Sequence, residues 1–139
     1  MYKRILLAAD GSPHAIRAAE QAARLAGLRP DAELTVLYVI DSTRSKSDQL
    51  RSLDLEALAE QRADRLLPIE EVLKEAGVTG RTVVLEGDPG TAIVSYAKEH
   101  KMEVVLIGSR GLNPFQEFVL GSVSHKVASR AACPVLIVK

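Results

Sequence analysis

The chain has 139 residues, with 18 Lys plus Arg balanced by 18 Asp plus Glu, a length that suits one domain and hardly two. Its neutrality speaks against a nucleic-acid coat protein or a polybasic membrane binder, both of which need a basic face. A lone cysteine, Cys133, excludes an intrachain disulfide framework and a Cys-rich zinc site, and no apolar run approaches the roughly 20 residues that span a bilayer.

Ile5 to Ala9 is a short run that is apolar throughout, as in a strand covered on both faces of a parallel sheet. It is too short for the core of a signal peptide, so a cytoplasmic, reduced setting is expected. Asp10-Gly11-Ser12-Pro13 ends it, and Ser12-Pro13 reads as a helix start: a hydroxyl to cap an orphan amide, then proline at the first helical position. Ile16, Ala19, Ala23 and Ala26 recur at helical spacing before Gly27. Leu34 to Ile40 predicts the second strand, and Asp41 to Arg51 an exposed polar loop. Leu55, Leu58, Leu66, Ile69 and Leu73 mark a longer helix closing at Gly77, which Pro68 should kink or divide.

Thr82 to Leu85 predicts the third strand, and Asp88-Pro89 the third helix, with Ile93, Tyr96 and Ala97 buried. Val104 to Ile107 predicts the fourth strand, stopped by Gly108-Ser109-Arg110-Gly111. Asn113-Pro114 opens a short turn through Leu120, and Gly121-Ser122 introduces a helix carrying Val123, Val127 and Ala131. Cys133-Pro134 breaks that helix, and Val135 to Val138 is the last strand. Strict alternation of strand and helix means an α/β fold: an open, Rossmann-like parallel sheet of five strands with helices on both faces, in one domain over 1–139. Right-handed crossovers leave two main strand orders, 3-2-1-4-5 and 2-1-3-4-5.

Ligands of such sheets bind beyond the carboxyl ends of the strands, where the winding reverses. In the 3-2-1-4-5 order that point lies between strands 1 and 4, where Asp10-Gly11-Ser12 and Gly108-Ser109-Arg110-Gly111 fall. Glycine turns bring backbone amides close to a ligand, and a helix start at Gly121-Ser122 adds unpaired amides and a positive dipole end. Ser122 and Ser124 add hydroxyls. These parts suit a phosphate chain. Local physics also allows the glycines merely to shape turns, Ser122 merely to cap its helix and Asp10 merely to cap its turn. The three histidines, His14, His100 and His125, show no metal-ligand spacing and read as solvated or helix-end residues. Cys133 reads as a small buried side chain, and no Walker A lysine pattern exists.

The spacing Gly108-x2-Gly111-x9-Gly121-Ser122 resembles the nucleotide motif of the universal stress protein family. The opening strand with its Asp10-Gly11-Ser12 turn, the block from Leu120 to Ser124 and the closing Cys133-Pro134-Val135 strand are similar to that family too, so the resemblance covers the whole chain. It implies the 3-2-1-4-5 order and binding of ATP or another adenine nucleotide, with Mg2+ or Mn2+ left open as an accompanying cation. It implies that Asp10 and Val39 line the adenosine end. It implies that Gly108, Arg110 and Gly111 run along ribose and phosphates, and that Gly121, Ser122 and Ser124 hold phosphate oxygens.

The motif supplies no evident base and no carboxylate pair for a metal, so the expectation is a nucleotide-binding stress-response regulator with slow or no hydrolysis. Alternatives are an ATP-hydrolysing or nucleotidyl-transfer enzyme on the same scaffold, a phosphorelay receiver using Asp88, and a nucleotide-free interaction module. In the 3-2-1-4-5 order Val135 to Val138 forms an apolar edge, which a twofold homodimer would cover. Nucleic acid and membrane are not expected partners.

Overall fold

The computed structural model describes residues 1–42, 55–110 and 120–139. In chain order the elements are β1 (Arg4–Ala9), α1 (Pro13–Ala26), β2 (Glu33–Asp41), α2 (Leu55–Glu75), β3 (Gly80–Gly87), α3 (Pro89–Glu99), β4 (Val104–Gly108), α4 (Ser122–Arg130) and β5 (Val135–Val138). All four strand pairings are parallel, and the order is β3-β2-β1-β4-β5. This selects the first of the two orders that the alternation left open. It also removes the receiver reading, whose sheet runs 2-1-3-4-5.

The sheet has a core on each face. Ile5, Leu7 and Ala9 of β1 face α1 and α2, with Leu34, Val36 and Leu106 beside them. Leu6 and Ala8 point the other way, against Ile93, Tyr96, Ala97 and Val127 of α3 and α4. Ile5, Leu6 and Leu7 are all fully buried. Each such side chain contributes roughly 1.5–3 kcal/mol over its exposed state, which is why β1 reads as an unbroken apolar run.

α1 begins as the sequence predicts: Ser12 Oγ accepts from the Ala15 amide at 3.1 Å and Pro13 stands at the first helical position. Its buried face is made of alanine alone, Ala15, Ala18, Ala19, Ala22, Ala23 and Ala26, while Ile16 sits half-buried at the margin. β2 and β3 run further than their apolar stretches, because their ladder continues from Leu34↔Gly80 to Asp41↔Gly87. β3 is an edge strand with one face partly solvated, so only its middle shows an apolar pattern. Asp41, expected in the loop, closes β2, Ser42 follows with its amide on the Gly87 carbonyl at 3.3 Å, and 43–51 lies outside the described residues.

Pro68 does not divide α2, which runs unbroken through 55–75. The hydrogen bond it removes is the one to the carbonyl of Asp64, an exposed residue, where water can take the donor's place. Leu66, Ile69 and Leu73 are buried from this helix, Leu58 half-buried. Gly77 adopts φ +70° just past its end, where the amide of Val78 returns to the carbonyl of Leu73. α4 stops at Arg130, one residue before Ala131, as the chain turns toward Pro134. No helix among the described residues is long and apolar enough to cross a membrane.

Candidate functional site

β1 and β4 lie side by side, in the register Ile5↔Val104 to Leu7↔Leu106. The helix after β1 covers one face and the helix after β4 the other, so the carboxyl ends of these strands form the switch-point crevice. On the β1 side Asp10 Oδ1 accepts from the Ser12 amide at 2.9 Å, closing a turn in which Gly11 takes φ +82°. Only glycine holds that left-handed φ without strain. Asp10 therefore does cap its turn, and its second carboxylate oxygen has no hydrogen-bond partner among the described residues. Arg65 of α2 lays its stem across the turn: a Cβ on Gly11 would meet Arg65 Cγ at 2.7 Å. The guanidinium of Arg65 continues to Tyr38, donating to its hydroxyl at 3.0 Å.

On the β4 side Gly108 works by packing. A Cβ there would meet His14 Cβ at 2.6 Å, the His14 carbonyl carbon at 2.9 Å and the Ala15 nitrogen at 3.1 Å. The glycine is what lets the first turn of α1 press against β4. Ser109 donates its amide to the Val138 carbonyl at 2.7 Å, tying the loop to β5. Its carbonyl accepts from the Gly121 amide at 2.9 Å, tying the loop to the start of α4. Ser124, 3% exposed, donates its hydroxyl hydrogen to the Gly108 carbonyl at 2.8 Å. In this arrangement Ser124 clamps α4 to β4, and its hydrogen is not available to a phosphate oxygen.

The start of α4 differs from the other two capped starts. Ser12 caps α1, and Asp88 caps α3 by accepting from the Thr91 amide at 3.0 Å. Gly121 provides α4 with no side-chain cap. The amides of Ser122, Val123 and Ser124 consequently have no acceptor among the described residues, and they stand at the positive end of the helix dipole. Such an end suits an anion.

Most of the residues singled out from sequence thus gather at the crevice. Asp10 and Gly108 end neighbouring strands, Arg110 follows β4, and Gly121, Ser122 and Ser124 form the tied helix start. Val39 is half-buried, one residue past Tyr38, which pairs with Ala9, and it packs on the α3 and α4 face of the sheet. Gly111 and the 113–119 part of the expected turn lie outside the described residues. His14 stands in the first turn of α1, a helix-end residue as the sequence suggests, and it is also engaged: Ser109 Oγ lies 3.0 Å from its Nδ1, and Arg110 Nη2 lies 3.3 Å from its Nε2. His14 and Arg65 are site neighbours that no local pattern announces, and Ser109, marked only as part of the loop after β4, gains a specific partner.

Among the described residues no three His, Cys, Asp or Glu side chains cluster as metal ligands. Asp88 is engaged elsewhere: Lys126 donates to it at 2.9 Å, and that bond together with Thr91 pulls its carboxyl down to about 2. It caps α3, whose start the sequence puts at Asp88-Pro89, and is not an open phosphoacceptor. Cys133 is half-buried, and burial pushes its thiol up, which disfavours the nucleophilic thiolate.

The model of the universal stress protein family matches residues 1–139. A universal stress protein of Methanocaldococcus jannaschii is 33% identical over 142 residues, covering all of this chain and 83% of the relative. The universal stress protein YxiE of Bacillus subtilis is 34% identical over 149 residues, with both chains fully covered. Among solved structures, the universal stress protein UspA from Lactobacillus plantarum superposes with a TM-score of 0.84 at 28% identity, covering 99% of this chain and 98% of that one. A universal stress protein in complex with cAMP gives a TM-score of 0.71 at 26% identity, covering 99% and 97%. The universal stress protein from Archaeoglobus fulgidus in complex with dAMP gives 0.72 at 25% identity, covering 99% and 98%.

Proposed function

This chain belongs to the universal stress protein family, and from that premise we propose that it binds an adenine nucleotide in the crevice between β1 and β4 and serves as a cytoplasmic stress-response regulator. The observation that carries the reading is the uncapped start of α4, with its amides at Ser122, Val123 and Ser124, tied through Gly121 and Ser109 to the end of β4. A phosphate chain needs such a cradle of amides, and the hydroxyl of the exposed Ser122 adds to it. Asp10, with one carboxylate oxygen unspent, suits ribose hydroxyls at the other end. Val39 stands where its backbone can meet the base. Arg110 and Gly111 complete the loop. The two structural relatives that hold cAMP and dAMP support the ligand class. Within that class the glycine spacing favours ATP.

The described residues do not fit a dedicated metal site, since no cluster of three ligating side chains exists among them. Any Mg2+ or Mn2+ would rely on phosphate and water oxygens, and no step is routed through one. Asp10 is the acidic side chain on the β1 turn; one oxygen holds the Ser12 amide, and the reading gives the other to ribose rather than to an attacking water. Turnover is therefore slow or absent. The reading includes a twofold dimer through β5, whose outer edge has no strand partner in the sheet and where Leu136 is 41% exposed. Mass analysis of small molecules released on denaturing protein purified without added nucleotide, followed by calorimetry with ATP, ADP and AMP, tests the binding. Nucleotide neither carried through purification nor bound in calorimetry overturns it. Sedimentation at micromolar concentration tests the dimer, and a monomer there refutes it.

A further inference from the structure

We infer that His14 is a positioning residue that sets the hydroxyl of Ser109 as a hydrogen-bond donor toward the ligand's phosphate, with Arg110 fixing the imidazole in the form that does so. This rests on the nucleotide reading above. The guanidinium of Arg110 can only donate. Its Nη2 lies 3.3 Å from His14 Nε2, so that ring nitrogen must offer a lone pair. A neutral imidazole with Nε2 as acceptor carries its hydrogen on Nδ1. Nδ1 lies 3.0 Å from Ser109 Oγ, which is thereby the acceptor of that bond.

The consequence falls on the hydroxyl's own hydrogen. Ser109 is 8% exposed, and its Oγ has no other partner among the described residues. The hydrogen is a nearly buried donor with no acceptor among the described residues, and leaving such a donor unpaired is unfavourable. It sits one residue past β4, on the loop whose carbonyl holds the start of α4. An anionic oxygen resting on the α4 amides is the acceptor that this hydrogen lacks. The placement also explains why glycine stands at 108: a Cβ there would meet His14 Cβ at 2.6 Å and push the imidazole off the loop.

The test compares AMP with adenosine, whose affinity ratio isolates the phosphate. Ser109→Ala and His14→Ala should each lower the AMP-to-adenosine ratio roughly tenfold, the scale of one hydrogen bond to a charged acceptor, with adenosine affinity unchanged. The double variant should lose no more than either single one, because both remove the same bond. His14→Asn, whose amide can donate at the Nδ1 position, should restore part of the ratio. Nitrogen-15 correlation spectra of the ligand-free wild type should show the Nδ1–H tautomer at His14, a signature that a merely structural histidine has no reason to favour. An Nε2–H tautomer, an unchanged ratio in His14→Ala, or additive losses would each overturn the inference while leaving the nucleotide reading intact. Wild-type protein that binds neither AMP nor adenosine overturns both.

Discussion

Replacing Gly108 by alanine separates the packing account of this glycine from one in which it only admits ligand. The added methyl would stand 2.6 Å from His14 Cβ, 2.9 Å from its carbonyl carbon and 3.1 Å from the Ala15 nitrogen. Ordinary carbon contacts lie at about 3.5–4.0 Å, so roughly 1 Å of movement is required. The atoms in the way are the root of a side chain and the backbone of a helix, neither of which can swing aside. Overpacking of this kind costs about 1–3 kcal/mol, and the upper end applies here. Alanine returns about 0.4–1 kcal/mol by restricting the unfolded chain. The expected net loss is about 2 kcal/mol, about 7 °C in Tm for a domain of this size. Urea and thermal unfolding followed by far-ultraviolet circular dichroism would measure it. Gly90 is the comparison, because a Cβ there also meets an atom at 2.6 Å, but that atom is Cδ of Lys126, and Lys126 Cβ and Cγ stand at 3.1 Å, so only side-chain atoms are in the way and no backbone. Gly90→Ala, inside α3, should cost clearly less than Gly108→Ala, since the helix gains about 1 kcal/mol from alanine against what Lys126 loses by shifting from Asp88. Equal costs at the two positions would mean that contact with the backbone of α1 is not what requires glycine at 108.

Gly121→Asp places a carboxylate at the start of α4; aspartate is the better cap by a few tenths of a kcal/mol. Calorimetry should then show ATP affinity falling at least about tenfold while Tm holds or rises slightly, as the new charge competes for the same amides. Asp88→Ala removes the cap of α3 and the partner of Lys126, and chemical denaturation at neutral pH should show a loss of about 1 kcal/mol. Because folding holds the Asp88 carboxyl at about 2, below its ordinary value, its contribution is present above the ordinary carboxylate range. The difference between wild type and Asp88→Ala should shrink as pH falls from about 4 through about 2. Pro68→Ala restores a donor to α2 and should raise stability by about 2 kcal/mol, read from the urea midpoint; no gain would mean that the helix is built around the proline.

The strands were legible because both faces of the sheet are covered, so Ile5 to Ala9 and Val104 to Ile107 are apolar at every position. Strand order was not: both candidate orders use the same alternation, and resemblance rather than periodicity favoured the one found. At the site, sequence marked the turn residues at 10–12 and 108–110 but not their tasks. Gly108 reads from sequence as a ligand glycine, and the distance from its would-be Cβ to His14 adds a packing task that no pattern shows. The link between His14 and Ser109 joins residues 95 apart in the chain, and Arg65 reaches Tyr38 across 27, separations that no local pattern encodes. Ser124 looks from sequence like a phosphate donor, and only the fold reveals that its hydrogen goes to Gly108.

The alanine face of α1 has a bearing on how this sequence can drift. Alanine has no χ angle and thus no way to repack around a bulkier neighbour or a larger substitute. Enlarging Ala15, Ala18 or Ala22 would lift the helix bodily, and His14, one residue before Ala15, would rise with it. The depth of the crevice is therefore written into residues that touch no ligand. Loop residues at the crevice can be exchanged singly to retune what binds, whereas the small residues beneath α1 form a fixed gauge between helix and sheet, open to change only together.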